Sequence, residues 1–244
     1  MILAAGFGTR LRPLTNTIPK PLLPVAGRPL VVWNLLLLRQ HGIRDVIVNL
    51  HHLPHLIEKE LGTGSQFGLK LTYSHEPVIL GTGGGIKQAE PFFKGEAFLV
   101  MNGDTMLDLD VGALIRFHHE RRALATMVVR DDPDVDAWGA LELDSDLAIA
   151  RINGQGRPPA GPSTMRMFAG VHVMHPRLLA DVPPGKASSI IDPYVRAIQR
   201  GEPVVGFTMR GYWSDVGTPD RYAQVQREAE AGLIDLTTRA RAAS

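Results

Sequence analysis

The chain begins MILAAGFGTRLRPLT (Met1–Thr15), and the fold follows from how these residues are read. Met1 to Ala4 form a short apolar strand. The apolar run stops at Gly6 with no basic residue ahead of it, which is not the pattern of a secretory leader. A buried strand running into a glycine turn fits better. Gly6 and Gly8 follow that strand, so backbone N–H groups can turn inward and approach an anion closely. Thr9 adds a hydroxyl donor. Arg10, and Lys20 in the stretch PKPLLP (Pro19–Pro24), add positive charge, the guanidinium as a two-pronged donor. Pro19 and Pro21 stiffen the backbone around Lys20. A triphosphate would satisfy all of these donors; a glycine turn with surface cations is the plain alternative. The third glycine of a dinucleotide fingerprint is missing, and no Gly-Lys-Ser/Thr follows as in a Walker loop.

Outward from this stretch the chain alternates between strand and helix periods. Leu30 to His41 is apolar nearly all round and long enough for a buried helix. Asp45–Leu50 reads as a strand, Leu53, Leu56, Ile57 and Leu61 as one face of a helix, and Leu69–Ser74 and Ala97–Met101 as further strands. Val111, Leu114, Ile115 and His118 mark a helical face, and Ala123–Val129 returns to strand. This rhythm predicts an α/β fold, a Rossmann-like, mostly parallel mixed sheet with helices on both faces. Beyond it, Trp138–Leu143 and Leu147–Ile152 read as an antiparallel pair. The Gly/Pro-rich NGQGRPPAGP (Asn153–Pro162) reads as a mobile loop. Arg166–Met174 is a strand, Ile190–Arg200 a helix, Pro203–Thr208 a strand and Asp220–Gly232 a helix. One domain over 1–232 and a polar C-terminal tail over 233–244 are expected.

Composition narrows the function. The 244 residues carry 26 Lys and Arg against 25 Asp and Glu, a net charge of +1, with 44% hydrophobic and 21% charged residues. Disorder is excluded, and a nucleic-acid coat protein would need a broad basic excess. The absence of cysteine excludes disulfides, thiolate–zinc sites and cysteine nucleophiles. The longest apolar run, Leu30 to Leu38, is too short for a bilayer, which takes roughly 20 residues. No nucleic-acid partner and no membrane are expected, and a cytoplasmic location is.

LAAGFGTRLRPLT (Leu3–Thr15) followed by PKPLLPVAGRPL (Pro19–Leu30) resembles the signature of the sugar-1-phosphate nucleotidyltransferases, and the resemblance runs over essentially the whole chain. It implies a nucleotide-diphospho-sugar transferase, GT-A-like fold. The reaction it implies joins a nucleoside triphosphate to a sugar-1-phosphate and releases pyrophosphate. Leu3, Ala4, Ala5, Gly6, Gly8, Thr9, Arg10 and Lys20 would then hold the nucleotide, with Arg10 and Lys20 on its triphosphate.

Three later segments fit this resemblance. EPVILGTGGGI (Glu76–Ile86) falls where the family has its base-recognition loop; Gly81, Thr82 and Gly83 would meet the base, and adjacent glycines would let base and ribose lie against the backbone. Glu76 could accept the two N–H donors of a guanine or serve the loop backbone. MNGD (Met101–Asp104) ends a buried strand, the edge where open α/β sheets bind ligands, so Asn102 and Gly103 would line the nucleotide. An aspartate there is placed to hold Mg²⁺, and the resemblance gives it a partner in GYWSDVGT (Gly211–Thr218). Asp104, also catalytic, and Asp215 would be the metal ligands. Gly139, Phe168, Gly170 and Trp213 are the sugar-phosphate candidates.

The base and the sugar are less sharply written. Many members carry Glu-Lys-Pro after the paired strands, and Arg151-Ile-Asn-Gly154 stands here instead, leaving Arg157, Arg166 or Lys186 as substitutes. The missing lysine, the GTGGGI stretch and the chain length resemble the N-acetylmuramate-1-phosphate uridylyltransferases of cell-wall recycling, so UTP is the expected nucleotide. Gly81-Thr82 is nearer the mannose-1-phosphate guanylyltransferases; heptose and phosphocholine donors share the remainder. A reading of another class is a non-catalytic, nucleotide-sugar-binding regulatory subunit, against which Arg10, Lys20, Asp104 and Asp215 all stand intact. A monomer or small homo-oligomer is expected.

Other polar groups take a structural reading. Pro54 disturbs helical spacing between His51, His52 and His55, so zinc is not expected. Asp131, Asp132, Asp134 and Asp136 lack calcium-loop spacing and read as a solvated loop. His118 and His119 read as a helix surface. Met1 lies so near the glycine turn that a cropped first strand is one reading and a start at an internal methionine the other. The chain ends soon after its last helix, so no appended acetyltransferase β-helix is expected.

Overall fold

A computed structural model describes residues 1–234 and divides them into two compact units. The first holds residues 1–79, 102–111 and those from 211 on; the second holds 80–101 and 112–210. The tail expected over 233–244 lies, from 235 on, outside the described residues. Among the described residues no helix is long and apolar enough to cross a membrane.

The first unit is built on parallel strands. Ile2–Leu3 pairs with Asp45–Leu50, Ile2 opposite Val48, and Asp45–Leu50 pairs with Lys70–His75, Asp45 opposite Lys70. The connecting helix Leu30–Gln40 buries every residue from Leu30 to Leu38, as a run apolar but for Asn34 requires. Trp33 donates its indole N–H to the Val25 carbonyl at 2.9 Å, and Gly42, at φ +83°, turns the chain out of the helix. The second connecting helix, Pro54–Leu61, has proline in its first turn and buries Ile57 and Leu61. An antiparallel strand pair that the sequence pattern does not announce joins Thr105–Leu107 to Trp213–Asp215, Thr105 opposite Asp215. Three-residue strands are too short to show a period. Thr218 then caps the helix Pro219–Glu230, its hydroxyl accepting from the Arg221 N–H.

The second unit is mixed, with antiparallel pairs predominating. Its organising strand, Ser163–Met174, pairs with Ala140–Asp144 along its first half. Its second half lies between Phe98–Asn102 and Ala125–Arg130. The register shifts between Phe168 and His172, where Gly170 sits at φ +78°, so the glycine makes the irregularity sterically possible. Val204–Thr208 joins Ala125–Arg130 in parallel. The expected pair around residues 138–152 is present as Ala140–Asp144 with Ile149–Ile152, but Trp138 ends a short helix, Val135–Trp138, that takes in the last of the aspartate run. The loop expected over 153–162 begins as strand, Gln155–Gly156 pairing back on Arg151 and Ile152. Its remainder is tied down by the buried Asp144, which accepts from Arg157 at 2.5 Å and from the Ala160 N–H at 2.9 Å.

His119 is exposed, but His118 is not on the helix surface expected for it. Its helix, Val111–Glu120, packs that position inward, and Nδ1 lies 2.9 Å from Thr126 Oγ1. Burial, with His119 and His175 nearby, pulls its pKa down to about 4. His172 is buried too, its Nδ1 2.7 Å from the Tyr194 hydroxyl, and burial lowers its pKa to about 3. Both rings are neutral in the folded chain, whereas unfolded histidine takes a proton below about pH 6.5. The unfolded state therefore binds more protons as pH falls from about 6.5 toward 4. Stability is intact above that window and drains away through it, by at most about 1.4 kcal/mol per pH unit for each ring. Melting temperature should fall across this interval, and His172→Gln should flatten the slope; a wild-type melting temperature constant from pH 6.5 to 4 would contradict the assignment.

Candidate functional site

In the first unit the glycine turn is braced from behind. Gly8 has φ +63°, and a Cβ there would stand 2.9 Å from Thr15 Cγ2 and 3.2 Å from Lys20 Cβ. The turn is thus closed against Lys20, with the Thr15 hydroxyl donating to the Gly8 carbonyl at 2.8 Å. A 3-10 turn, Thr9–Leu11, follows and is anchored by buried Leu11, which leaves Gly6, Thr9 and Arg10 exposed. His52 Nε2 lies 2.9 Å from the Thr15 carbonyl, and Phe7 lies edge-on to His51, so these histidines brace the turn from its far side.

The strand end is set by a side-chain relay. Ala4 donates its N–H to Asn49 Oδ1 at 2.8 Å, and Asn49 Nδ2 donates to Glu76 Oε1 at 2.7 Å. Sequence reasoning missed Asn49; the signal was a lone amide near the end of the otherwise apolar strand Asp45–Leu50. Glu76 is only 3% exposed. Its Oε1 accepts from the Asn49 side chain, which in turn holds the strand that carries the glycine turn.

The charged core of the site is a cross-strand constellation. Lys20 is buried, which a lysine tolerates only when paired, and its Nζ lies 2.5 Å from Asp104 Oδ2. Gly103, just before Asp104, donates to the Leu3 carbonyl at 2.8 Å, and a Cβ on it would stand 2.7 Å from that oxygen. Only glycine lets the Asp104 strand approach so closely. Asn34, the one polar residue buried along its helix, donates to the Asn102 carbonyl at 3.4 Å. Val216 donates to the Asp104 carbonyl at 3.0 Å, which brings the Asp215 segment alongside.

Asp215 Oδ1 accepts from Arg221 at 3.2 Å. A Cβ on Gly217 would collide with Asp215 Oδ1 and stand 2.9 Å from Arg10 Nη2, so the exposed Arg10 reaches in beside Asp215. Sequence reasoning missed Gly217 and Arg221 too; a glycine directly before a helix cap, and an arginine in that helix's first turn, were the available signals. Trp213 stands opposite Leu107, two residues from Asp215 and so on the same face of its strand.

This arrangement concentrates two carboxylates, Asp104 and Asp215, and three cations, Arg10, Lys20 and Arg221, beside one glycine turn. Among the described residues no group of three metal-binding side chains is present. Two hard carboxylates still fit Mg²⁺, which commonly takes one or two protein carboxylates and fills its shell with water and substrate phosphate oxygens. Asp104 and Asp215 would hold it.

In the second unit, GTGGG is the first turns of the helix Gly81–Ala89 rather than a loop. Gly83 donates to the Ser188 carbonyl at 2.9 Å, Ser188 to Leu80 at 2.9 Å, and Ile190 to the Thr82 hydroxyl at 3.0 Å. A Cβ on Gly81 would lie 2.7 Å from the Ser188 carbonyl oxygen, one on Gly83 would lie 2.8 Å from that of Ser189, and one on Gly84 would overlap that of Lys186. On the side where a Cβ would point, these glycines are closed in by the chain's own backbone. Alanine favours a helix interior over glycine by up to about 1 kcal/mol, but overpacking against fixed backbone costs about 1–3 kcal/mol. Gly84→Ala should therefore destabilise, read as a lower urea midpoint; a raised midpoint would mean the 186–190 segment yields freely.

The sugar-phosphate candidates in this unit take structural duties too. Gly139 has φ +87°, and a Cβ there would stand 2.9 Å from Asn153 Oδ1. Phe168 lies edge-on to His172 with centroids 5.4 Å apart. Of the substitute cations, Arg157 is committed to Asp144 and Arg166 pairs with Asp131 at 2.8 Å, whereas Lys186 is exposed.

Comparison with known proteins gives a consistent result. A family model described as Nucleotidyl transferase matches residues 1–232. The chain is 37% identical, over 95% of its own length and 98% of the relative's, to an N-acetylmuramate alpha-1-phosphate uridylyltransferase of Neisseria meningitidis serogroup B. It is 32% identical, over 96% of its length, to a mannose-1-phosphate guanylyltransferase of Mycobacterium tuberculosis, of which it spans only 65%. Among solved structures, one titled as a putative glucose-1-phosphate thymidylyltransferase from Bacillus anthracis superposes with a TM-score of 0.82 at 23% identity, covering 93% of each chain. That likeness shows the nucleotide-diphospho-sugar transferase fold.

Proposed function

Because the chain belongs to the nucleotidyl transferase family, we propose that it joins a nucleoside triphosphate to a sugar-1-phosphate with release of pyrophosphate, and that its substrates are UTP and N-acetylmuramate-1-phosphate. The observation that carries the reaction is the buried Lys20–Asp104 pair behind the glycine turn, with Arg10 and Asp215 beside it. Two observations support the choice of substrates. The meningococcal uridylyltransferase matches along nearly its whole length, and the Glu76 carboxylate, which a guanine edge would need, is buried on Asn49. A uridylyltransferase of this kind would serve the recycling of cell-wall sugars.

The chemistry asks little of the protein beyond charge and alignment. The nucleophile is a phosphomonoester oxygen whose second pKa is about 6, so it arrives as a dianion near neutral pH and no general base is needed. The obstacle is bringing two anions together in line. The exposed N–H groups of the glycine turn receive the triphosphate, Arg10 covers the leaving pyrophosphate, and the Lys20 ammonium neutralises the oxygens beside the reacting phosphorus. Mg²⁺ held by Asp104 and Asp215 would supply charge neutralisation and orientation of the phosphates.

The experiment is pyrophosphate release with Mg²⁺ over a grid of nucleotides and sugar-1-phosphates. Turnover with UTP and N-acetylmuramate-1-phosphate is expected. Turnover with GTP and mannose-1-phosphate instead would overturn the choice of substrates and return Glu76 to the base. Nucleotide binding with no pyrophosphate from any pair would favour the regulatory-subunit reading.

A further inference from the structure

Lys20 and a bound metal ion would share one carboxylate. Lys20 Nζ contacts Asp104 Oδ2 at 2.5 Å, and the lysine side chain is 9% exposed against 31% for the aspartate. A divalent cation on that carboxylate would lie within a few ångströms of a buried ammonium, and the two like charges would repel. The lysine cannot withdraw as a whole. Its stem is packed under the glycine turn, where a Gly8 Cβ would stand 3.2 Å from Lys20 Cβ, and Pro19 and Pro21 fix the backbone on either side. Only the terminal ammonium can move, and it needs another anion to move to. Asp215 differs, because its partner Arg221 lies at the longer distance of 3.2 Å and is more exposed.

We infer that Lys20 occupies the cation's place on Asp104 in the nucleotide-free protein and gives it up only to a triphosphate. The exchange conserves charge: the ammonium moves from carboxylate to phosphate as the cation arriving with that phosphate takes the carboxylate. No covalent bond changes. The inference rests on the reading of Asp104 as a metal ligand and adds an order of events to it, in which metal alone binds poorly and metal and triphosphate each raise the other's affinity. Lys20 thus weakens metal binding in the free protein and strengthens triphosphate binding.

The two roles make removal of Lys20 act with opposite signs on two ligands. Mn²⁺ binding in the absence of nucleotide, followed by the loss of the free-ion paramagnetic resonance signal, is measured for the wild type, Lys20→Met, Lys20→Gln, Asp104→Asn and the Lys20→Met/Asp104→Asn double variant. Circular dichroism checks that each is folded, and the glutamine variant keeps a polar end on the buried stem should methionine not fold. Both Lys20 variants should bind Mn²⁺ alone about tenfold more tightly than the wild type, or about 1.4 kcal/mol, and bind UTP more weakly. The double variant should lose that gain. Unchanged or weaker Mn²⁺ binding in both Lys20 variants, with Asp104→Asn still abolishing it, would overturn the exchange and leave the metal site standing. Tight Mn²⁺ binding that survives in the double variant would overturn the metal site itself, and the exchange with it.

Discussion

Asp104→Asn should lower turnover by about 10³-fold, the upper end of what removal of one group stabilising transition-state charge costs, while leaving a folded protein. The substitution is close to isosteric. Asp104 lies in a turn, is partly exposed, and its main-chain carbonyl keeps the Val216 hydrogen bond. What changes is charge. The amide oxygen can still accept from Lys20 but cannot balance it, and it is a far poorer ligand for a hard cation. Weakening one partly buried pair should lower stability by only about 1–2 kcal/mol, small beside the catalytic loss. Turnover by pyrophosphate release, with urea denaturation on the same samples, separates the two effects. Near-normal turnover in the folded variant would sink the metal assignment.

Arg10→Ala should lower turnover by about 10²- to 10³-fold with almost no change in stability. Arg10 is exposed, and its guanidinium approaches Asp215 across the Gly217 backbone. Exposed side chains away from core packing usually contribute within about 0.5 kcal/mol, so the fold has little stake in it. The leaving group does: the pyrophosphate gains negative charge as it departs, and a planar fork can hold two of its oxygens at once. Arg10→Lys should recover only part of the rate, because a point charge replaces the fork. Steady-state kcat and KM for UTP in the three proteins check this, and an alanine variant that turns over like the wild type would remove Arg10 from the pyrophosphate.

Much of the frame is legible in the local sequence. Asp45–Leu50 is the strand its composition announces, and Leu30–Gln40 is the buried helix that a run apolar but for Asn34 demands. The glycine turn and the stiff proline-flanked backbone at Lys20 are legible too, because φ at glycine and proline is a property of a residue and its immediate neighbours. The association of the Asp104 and Asp215 segments comes only through a family resemblance, since the antiparallel pair that joins them is long-range and its strands are three residues long.

The rest is decided by residues far apart in the chain. Whether Glu76 faces a base or the backbone depends on Asn49, 27 positions away. What the glycines at 81, 83 and 84 pack against on their Cβ side depends on residues 186–189, about a hundred positions further on. His118 has the spacing of a helix face but not the sign of its environment, which Thr126 on a neighbouring strand supplies. Local sequence determined where the backbone could turn, which stretches had to be buried and which charges were present. Tertiary structure alone decided which charge met which, because burial and pairing depend on distance in space, and the 84 positions between Lys20 and Asp104 leave no trace of it in any local pattern.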